Sequence, residues 1–117
     1  PRLRAERRRR LVADPLCGWN ASVSMWRDIF RLVFTGADDA NFAKVPKSLP
    51  FNLHGSRHDP SSDFAKATEA LCARMKAMGF SDVTMDILPD DRHECLNDLN
   101  REAITAGFIA WLTRICA

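Results

Sequence analysis

Asp59 and His93 are the two residues whose types and positions best suit acid–base chemistry. Asp59 lies in the loop after a predicted strand at residues 51–54, and His93 follows a second predicted strand at 82–88. Reactive side chains of an open parallel sheet collect just beyond the carboxyl ends of its strands. A carboxylate that accepts a hydrogen bond from His Nδ1–H fixes the imidazole tautomer and leaves Nε2 as a general base. The pair therefore predicts the acid and the base of a Ser–His–Asp triad.

Two strands and the helix between them must position this pair. Hydrophobic residues alternate over 82–88, which is typical of a strand, and residues 51–54 form a shorter one. The intervening segment, 61–79, has an apolar face at helical spacing, and Ser61 or Ser62 is expected to cap it. A strand–helix–strand unit of this size predicts parallel strands and an α/β fold class.

Helices are also predicted on both sides of this unit. A last helix is expected over 101–116, with Asn100 as its cap. An amphipathic helix is expected over about 22–35, closed by Gly36, and a short helix over 38–44. The chain therefore alternates helical and extended segments, with no internal repeat.

The nucleophile of the predicted triad is not visible in the sequence. In hydrolases with the chain order nucleophile, acid, histidine, the serine sits in a Gly-x-Ser-x-Gly elbow upstream. No serine of this chain has those flanking glycines. Two parallel strands are also too few for a stable sheet, because parallel sheets are buried on both faces. We therefore expect the chain to be the C-terminal part of a larger fold.

A metal site is the alternative use of the histidines. His54, His58, His93 and Cys95 make a nominal set of zinc ligands. Two histidines four residues apart share a face only on a helix, whereas His54 lies at a predicted strand end. We therefore expect neither a metal nor a cofactor, and a non-catalytic interaction module remains a second alternative.

Charge is concentrated at the N-terminus. Residues 1–10 hold six arginines and one glutamate, whereas the whole chain has a net charge of only +2. A nucleic-acid partner is not expected, because no aromatic stacking residues or second basic patch accompany the arginines. We expect residues 1–10 to lie outside the fold.

Hydropathy and cysteine content indicate the cellular compartment of the protein. No apolar stretch approaches the roughly 20 residues of a membrane span, so stable membrane insertion is not expected. The four scattered cysteines include no Cys-x-x-Cys pair and are expected to be reduced thiols. These features predict a cytoplasmic protein.

Several short motifs together resemble the C-terminal part of the lysophospholipase and monoacylglycerol-lipase-like α/β-hydrolases, often grouped as serine aminopeptidase S33 proteins. The most specific motif is Arg-His-Glu-x-Leu-Asn at 92–97, and the resemblance covers 11 to about 115. The other motifs are Asp-Pro-Leu-Cys-Gly at 14–18, Pro-Lys-x-Leu-Pro at 46–50, His-Gly-Ser at 54–56, Asp59-Pro60 and Met-Gly-Phe-Ser-Asp-Val-Thr at 78–84.

The resemblance implies a serine esterase that cleaves monoacylglycerols or lysophospholipids in lipid metabolism, with Asp59 and His93 as its acid and base. The family usually has Gly-x-x-Asp-Pro, whereas here three residues separate Gly55 from Asp59, which makes Asp63 a second candidate acid. The resemblance also implies that Trp19 and Trp26 contact the acyl chain.

The resemblance divides the chain into three parts. Residues 1–10 do not resemble the family, 11–45 match the end of the lid region, and 46–117 match the unit that carries the acid and histidine. The partner implied is the N-terminal half of the same fold, which holds the nucleophile and oxyanion hole. Without it, we expect the chain to be inactive and to self-associate or be marginally stable.

Overall fold

The first of two compact units is helical. The structure, a computed structural model, describes residues 2–117 and divides the chain between Val45 and Pro46. The first unit contains α1 (Arg2–Ala13), α2 (Val23–Ala37) and α3 (Asp39–Phe42). Helix α1 begins within the basic segment and ends at Ala13. The boundary predicted after residue 10 therefore falls inside a helix.

Polar side chains define the ends of α2. Ser22 precedes its first turn, and its Oγ accepts a hydrogen bond from the Met25 amide at 3.1 Å. The prediction that Gly36 ends this helix is wrong, because the helix passes through Gly36. It ends where the Asp38 amide donates to the Phe34 carbonyl at 3.1 Å, and the Asp38 side chain then caps α3.

The apolar face of α2 is an exposed aromatic row. Ring centroids lie 6.0 Å apart for Trp26 and Phe30 and 6.4 Å apart for Phe30 and Phe34. None of the α2 side chains, all of which the structure describes, is buried. The amphipathic pattern predicted from the sequence therefore forms a helix, but its apolar face stays exposed within this unit.

The second unit, Pro46–Ala117, contains a two-stranded parallel sheet. Strands β1 (Phe51–Ser56) and β2 (Val83–Leu88) pair in register, and α4 (Lys66–Ala77) connects them. The alternating apolar residues of β2 and the proline-bounded β1 form strands as the sequence indicates. The prediction of a mixed α/β fold with two parallel strands is confirmed.

The core of the second unit is small. Phe51 and Phe80 meet edge to face with ring centroids 5.4 Å apart. The large apolar side chains of Phe64, Leu71 and Phe108 keep 50%, 36% and 36% of their surface exposed. The buried hydrophobic residues are Ala65, Cys72, Met75, Phe80 and Ile104.

The last helix, α5 (Arg101–Cys116), is joined to the start of β2 by an ion pair. Arg114 donates from both terminal nitrogens to the two carboxylate oxygens of Asp82, at 2.9 Å and 3.0 Å. The planar guanidinium matches a carboxylate in this two-bond geometry. The hydrogen bonds from Arg114 lower the pKa of Asp82, so the pair stays charged at neutral pH.

Gly55 in β1 lies directly against helix α4. A Cβ atom at Gly55 would lie 2.8 Å from Thr68 Oγ1, 3.0 Å from Thr68 Cβ and 3.1 Å from Ile87 Cδ1. We expect Gly55→Ala to lower the free energy of unfolding by about 1–3 kcal/mol, because the helix or the strand must shift to admit a methyl group. Urea denaturation of the two proteins measures this difference.

Gly107 in α5 provides the matched control. A Cβ atom at Gly107 would meet nothing within 4 Å. Gly107→Ala should therefore stabilise the protein by about 0.5–1 kcal/mol, since alanine favours a helix interior. If Gly55→Ala were as stable as the wild type, the close packing of α4 on β1 would be contradicted.

Candidate active site

The candidate site is built on the two loops that leave the carboxyl ends of β1 and β2. Ser56 lies opposite Leu88 at the last paired position of the sheet. The Arg57 amide then donates to the Leu88 carbonyl at 3.0 Å, so the strands stay together past the end of β1. The loops that carry Asp59 and His93 therefore start side by side at the carboxyl ends of the two strands.

The structure brings the Asp59 carboxylate and the His93 imidazole together. His93 Nδ1 lies 3.1 Å from Asp59 Oδ2. The side chain of Asp59 is only 8% exposed, whereas that of His93 is 73% exposed. Both hydrogen-bond contacts of the His93 ring use Nδ1, so within the described residues Nε2 has no partner. A buried acid thus contacts a largely exposed imidazole through Nδ1.

Asp59 begins a tight turn in which Ser61 is its main partner. The Ser61 amide donates to Asp59 Oδ1 at 3.0 Å, and the Ser61 hydroxyl donates to the same oxygen. The hydrogen bond from the Ser61 side chain is the largest influence on the pKa of Asp59; with the His93 contact, it outweighs burial and holds that pKa well below the usual value of 3.8. Asp59 is therefore an ionised carboxylate, whose oxygens can only accept hydrogen bonds.

Three consecutive residues after this turn adopt left-handed backbone conformations. The φ angles of Asp63, Phe64 and Ala65 are 49°, 56° and 73°. Such angles are uncommon for residues other than glycine and cost about 1–3 kcal/mol each. The Phe64 amide donates to the Asp59 carbonyl at 2.9 Å, so the strained segment closes back on the acid. This hydrogen bond ties the left-handed segment to the backbone of Asp59 and so helps to position its carboxylate.

The strained segment also corrects the predicted start of α4. Neither Ser61 nor Ser62 caps that helix, which begins at Lys66. Ser61 instead bonds to Asp59, while Ser62 Oγ accepts from the Ala65 amide at 3.3 Å. Both serines hold the turn that carries the acid, because the left-handed residues separate them from the helix.

The loop that carries His93 is anchored by carboxylates. Asp91 is 1% exposed, and its Oδ2 accepts a hydrogen bond from Asn100 Nδ2 at 3.1 Å. Asn100 occupies the N-cap position of α5 as predicted, but its side chain makes no capping bond and donates to Asp91 instead. The Arg92 amide, next to His93, donates to Asp98 Oδ2 at 3.0 Å. These bonds fix the backbone on both sides of the histidine.

The second candidate acid lies away from the histidine. Asp63 forms an ion pair with Lys66, with 3.3 Å between Oδ2 and Nζ, and does not contact His93. The structure therefore favours Asp59 as the partner of His93.

The two tryptophans predicted to contact an acyl chain lie in the first unit. Trp19 belongs to the lining of an apolar pocket formed by the end of α1 and the loop that follows it, and Trp26 lies on α2. Both are exposed, at 65% and 50%. Their contact with a substrate stays a prediction.

The nominal zinc ligands are not gathered into a site. His54 lies in β1 opposite Asp86, with 3.9 Å between His54 Nε2 and Asp86 Oδ2. Across the described part of the chain, no three His, Cys, Asp or Glu side chains form a group that could hold a metal ion. His93 is engaged instead by Asp59 and Ser61.

Ser61 is the site residue that sequence reasoning missed. Its hydroxyl lies 2.9 Å from His93 Nδ1 and also donates to Asp59. A hydroxyl two residues after an aspartate is a common turn arrangement. That pattern was the available signal, but it indicates a turn and not a contact with a distant histidine.

Among residues 2–117 the structure contains no helix that is long and apolar enough to cross a membrane. The chain matches no family model, no curated protein and no solved structure.

Proposed function

We propose that this chain is the acid- and histidine-bearing C-terminal part of a serine hydrolase with an α/β-hydrolase fold, which cleaves carboxylic esters of single-acyl-chain lipids. The observation that carries the proposal is the contact of 3.1 Å between Asp59 Oδ2 and His93 Nδ1. It joins a buried carboxylate to an exposed imidazole at the carboxyl ends of two parallel strands, where such enzymes place their catalytic groups.

The nucleophile must approach His93 from the side of Nε2. A general base removes the serine proton with the nitrogen that does not face the acid. Ser61 lies on the Nδ1 side and its proton is donated to Asp59, so it does not fit this role. The serine would therefore come from a part of the hydrolase outside these residues, in a Gly-x-Ser-x-Gly elbow.

The sheet supports the same proposal. Strands β1 and β2 form a two-stranded parallel sheet, and in the described residues each strand has a neighbour on one side only. Parallel sheets are stable when further strands and helices bury them. An N-terminal half that adds strands beside β1 or β2 would complete the sheet and supply the nucleophile of the triad.

The reaction follows from the roles of the two residues. His93 Nε2 accepts the proton of the attacking serine as its Oγ adds to the ester carbonyl, and returns that proton to the leaving alcohol. Water then gives a proton to Nε2 as its oxygen adds to the acyl carbon, and Nε2 returns that proton to the serine Oγ as the acyl–oxygen bond breaks and the free acid leaves. The Asp59 carboxylate stabilises the imidazolium that forms in each half-reaction. The choice of monoacylglycerol or lysophospholipid rests on the resemblance of the loop motifs.

A fluorophosphonate probe tests the proposal. It is applied both to the whole gene product, with its upstream reading frame, and to the 117-residue chain. We expect the probe to label a serine outside residues 1–117 in the whole product, which should also hydrolyse a monoacylglycerol. The chain alone should be neither labelled nor active on p-nitrophenyl esters, because it lacks the nucleophile. A whole product that is unlabelled and inactive would favour a non-catalytic interaction module, and stoichiometric labelling of the chain alone would overturn the proposal.

A further inference from the structure

The Ser61 hydroxyl lies between the two members of the acid–histidine pair. It donates to Asp59 Oδ1 and lies 2.9 Å from His93 Nδ1. Asp59 Oδ2 lies 3.1 Å from the same ring nitrogen. The three side chains thus form a closed arrangement in which every pair is in hydrogen-bond contact.

The proton count of this arrangement fixes the histidine tautomer. A serine hydroxyl has one proton and can otherwise only accept. Because that proton goes to the Asp59 carboxylate, Ser61 can contact His93 only as an acceptor. Nδ1 must then carry a proton, and in the neutral ring Nε2 holds the free electron pair.

The exposure of His93 makes this hydrogen bonding decisive. Its side chain is 73% exposed, so packing does little to hold the ring. Asp59 supplies one acceptor, and it is itself held because both Ser61 donors occupy Oδ1 and leave Oδ2 for the histidine. Ser61 therefore acts on the ring directly and also through the acid.

We propose that Ser61 is a positioning residue that locks His93 in the Nδ1–H tautomer with Nε2 directed to the nucleophile. The tautomer itself does not depend on the proposed function, whereas its catalytic use does. Ser62 provides a matched contrast, because its hydroxyl donates to the Asp59 carbonyl at 3.2 Å and holds the same turn without contacting His93.

The test is a long-range ¹H–¹⁵N spectrum of the His93 ring in the 117-residue chain, recorded where the ring is neutral. The wild type should show mainly the Nδ1–H tautomer. Ser61→Ala should shift the equilibrium toward Nε2–H by about 2- to 10-fold, the effect of one hydrogen bond. Ser61→Thr, which keeps a hydroxyl, should restore the wild-type ratio, and Ser62→Ala should shift the ratio clearly less than Ser61→Ala does.

Three results would overturn the inference: a wild-type ring that is mainly Nε2–H, a Ser61→Ala ratio equal to that of the wild type, or an equal shift in Ser62→Ala. The wild-type spectrum needs no variant, so it tests the inference even if Ser61→Ala does not fold. In the whole gene product, Ser61→Ala should lower kcat by about 10-fold with KM unchanged. A tautomer shift without any esterase activity in the wild type would contradict the proposed function alone.

Discussion

Replacing His93 by alanine is expected to lower kcat/KM of the whole gene product for a monoacylglycerol by about 10⁴- to 10⁶-fold. The imidazole is the only group in the described residues placed by Asp59 to take and return a proton. Without it the serine stays protonated and the leaving alcohol is not protonated. Steady-state hydrolysis of the wild type and His93→Ala measures the loss.

The stability of the fold should be little affected by this change, because the His93 side chain is 73% exposed. His58→Ala is the matched control: His58 is an exposed histidine in the loop that carries Asp59, and it should keep wild-type activity. An active His93→Ala enzyme, or equal losses in both variants, would remove His93 from the mechanism.

Replacing Asp59 by asparagine is expected to lower kcat by about 10³- to 10⁴-fold with a small change in KM. The asparagine amide can donate to His93 Nδ1, which favours the tautomer whose Nε2 is protonated and cannot act as a base. The loss should be smaller than that in His93→Ala, because the imidazole remains and Ser61 still accepts from Nδ1 in part of the population. The same hydrolysis assay measures it.

Asp63→Asn separates the two candidate acids. Asp63 pairs with Lys66 and has a φ of 49°, a conformation that asparagine tolerates well. This variant should therefore retain the fold and wild-type activity. A large loss in Asp63→Asn with an active Asp59→Asn would show that the acid was assigned to the wrong residue.

The strands and their carboxyl-end loops were predictable from local patterns. The alternating residues before Leu88 and the prolines before Phe51 gave β2 and β1 to within two residues at each end. Once the two strands are taken as neighbours, loops that leave the same edge must lie close together. That is why Asp59 and His93 could be paired from the sequence, although they are far apart along the chain.

The structure around the acid was not predictable in the same way. Three left-handed residues in a row without a glycine have no sequence signature, because glycine is the usual marker of such angles. The residue types of Ser61 and Asn100 predict side-chain caps of helices. Both side chains instead donate hydrogen bonds to carboxylates, those of Asp59 and Asp91, whose burial depends on tertiary packing.

The double variant Asp59→Asn with His93→Ala tests the central claim most directly, namely that these two residues act as one unit. In the whole gene product, kcat/KM of the double variant should equal that of His93→Ala within about 3-fold, since an orienting acid has no function once the imidazole is gone. If the two losses multiplied instead, Asp59 and His93 would act independently, and the triad account would be contradicted.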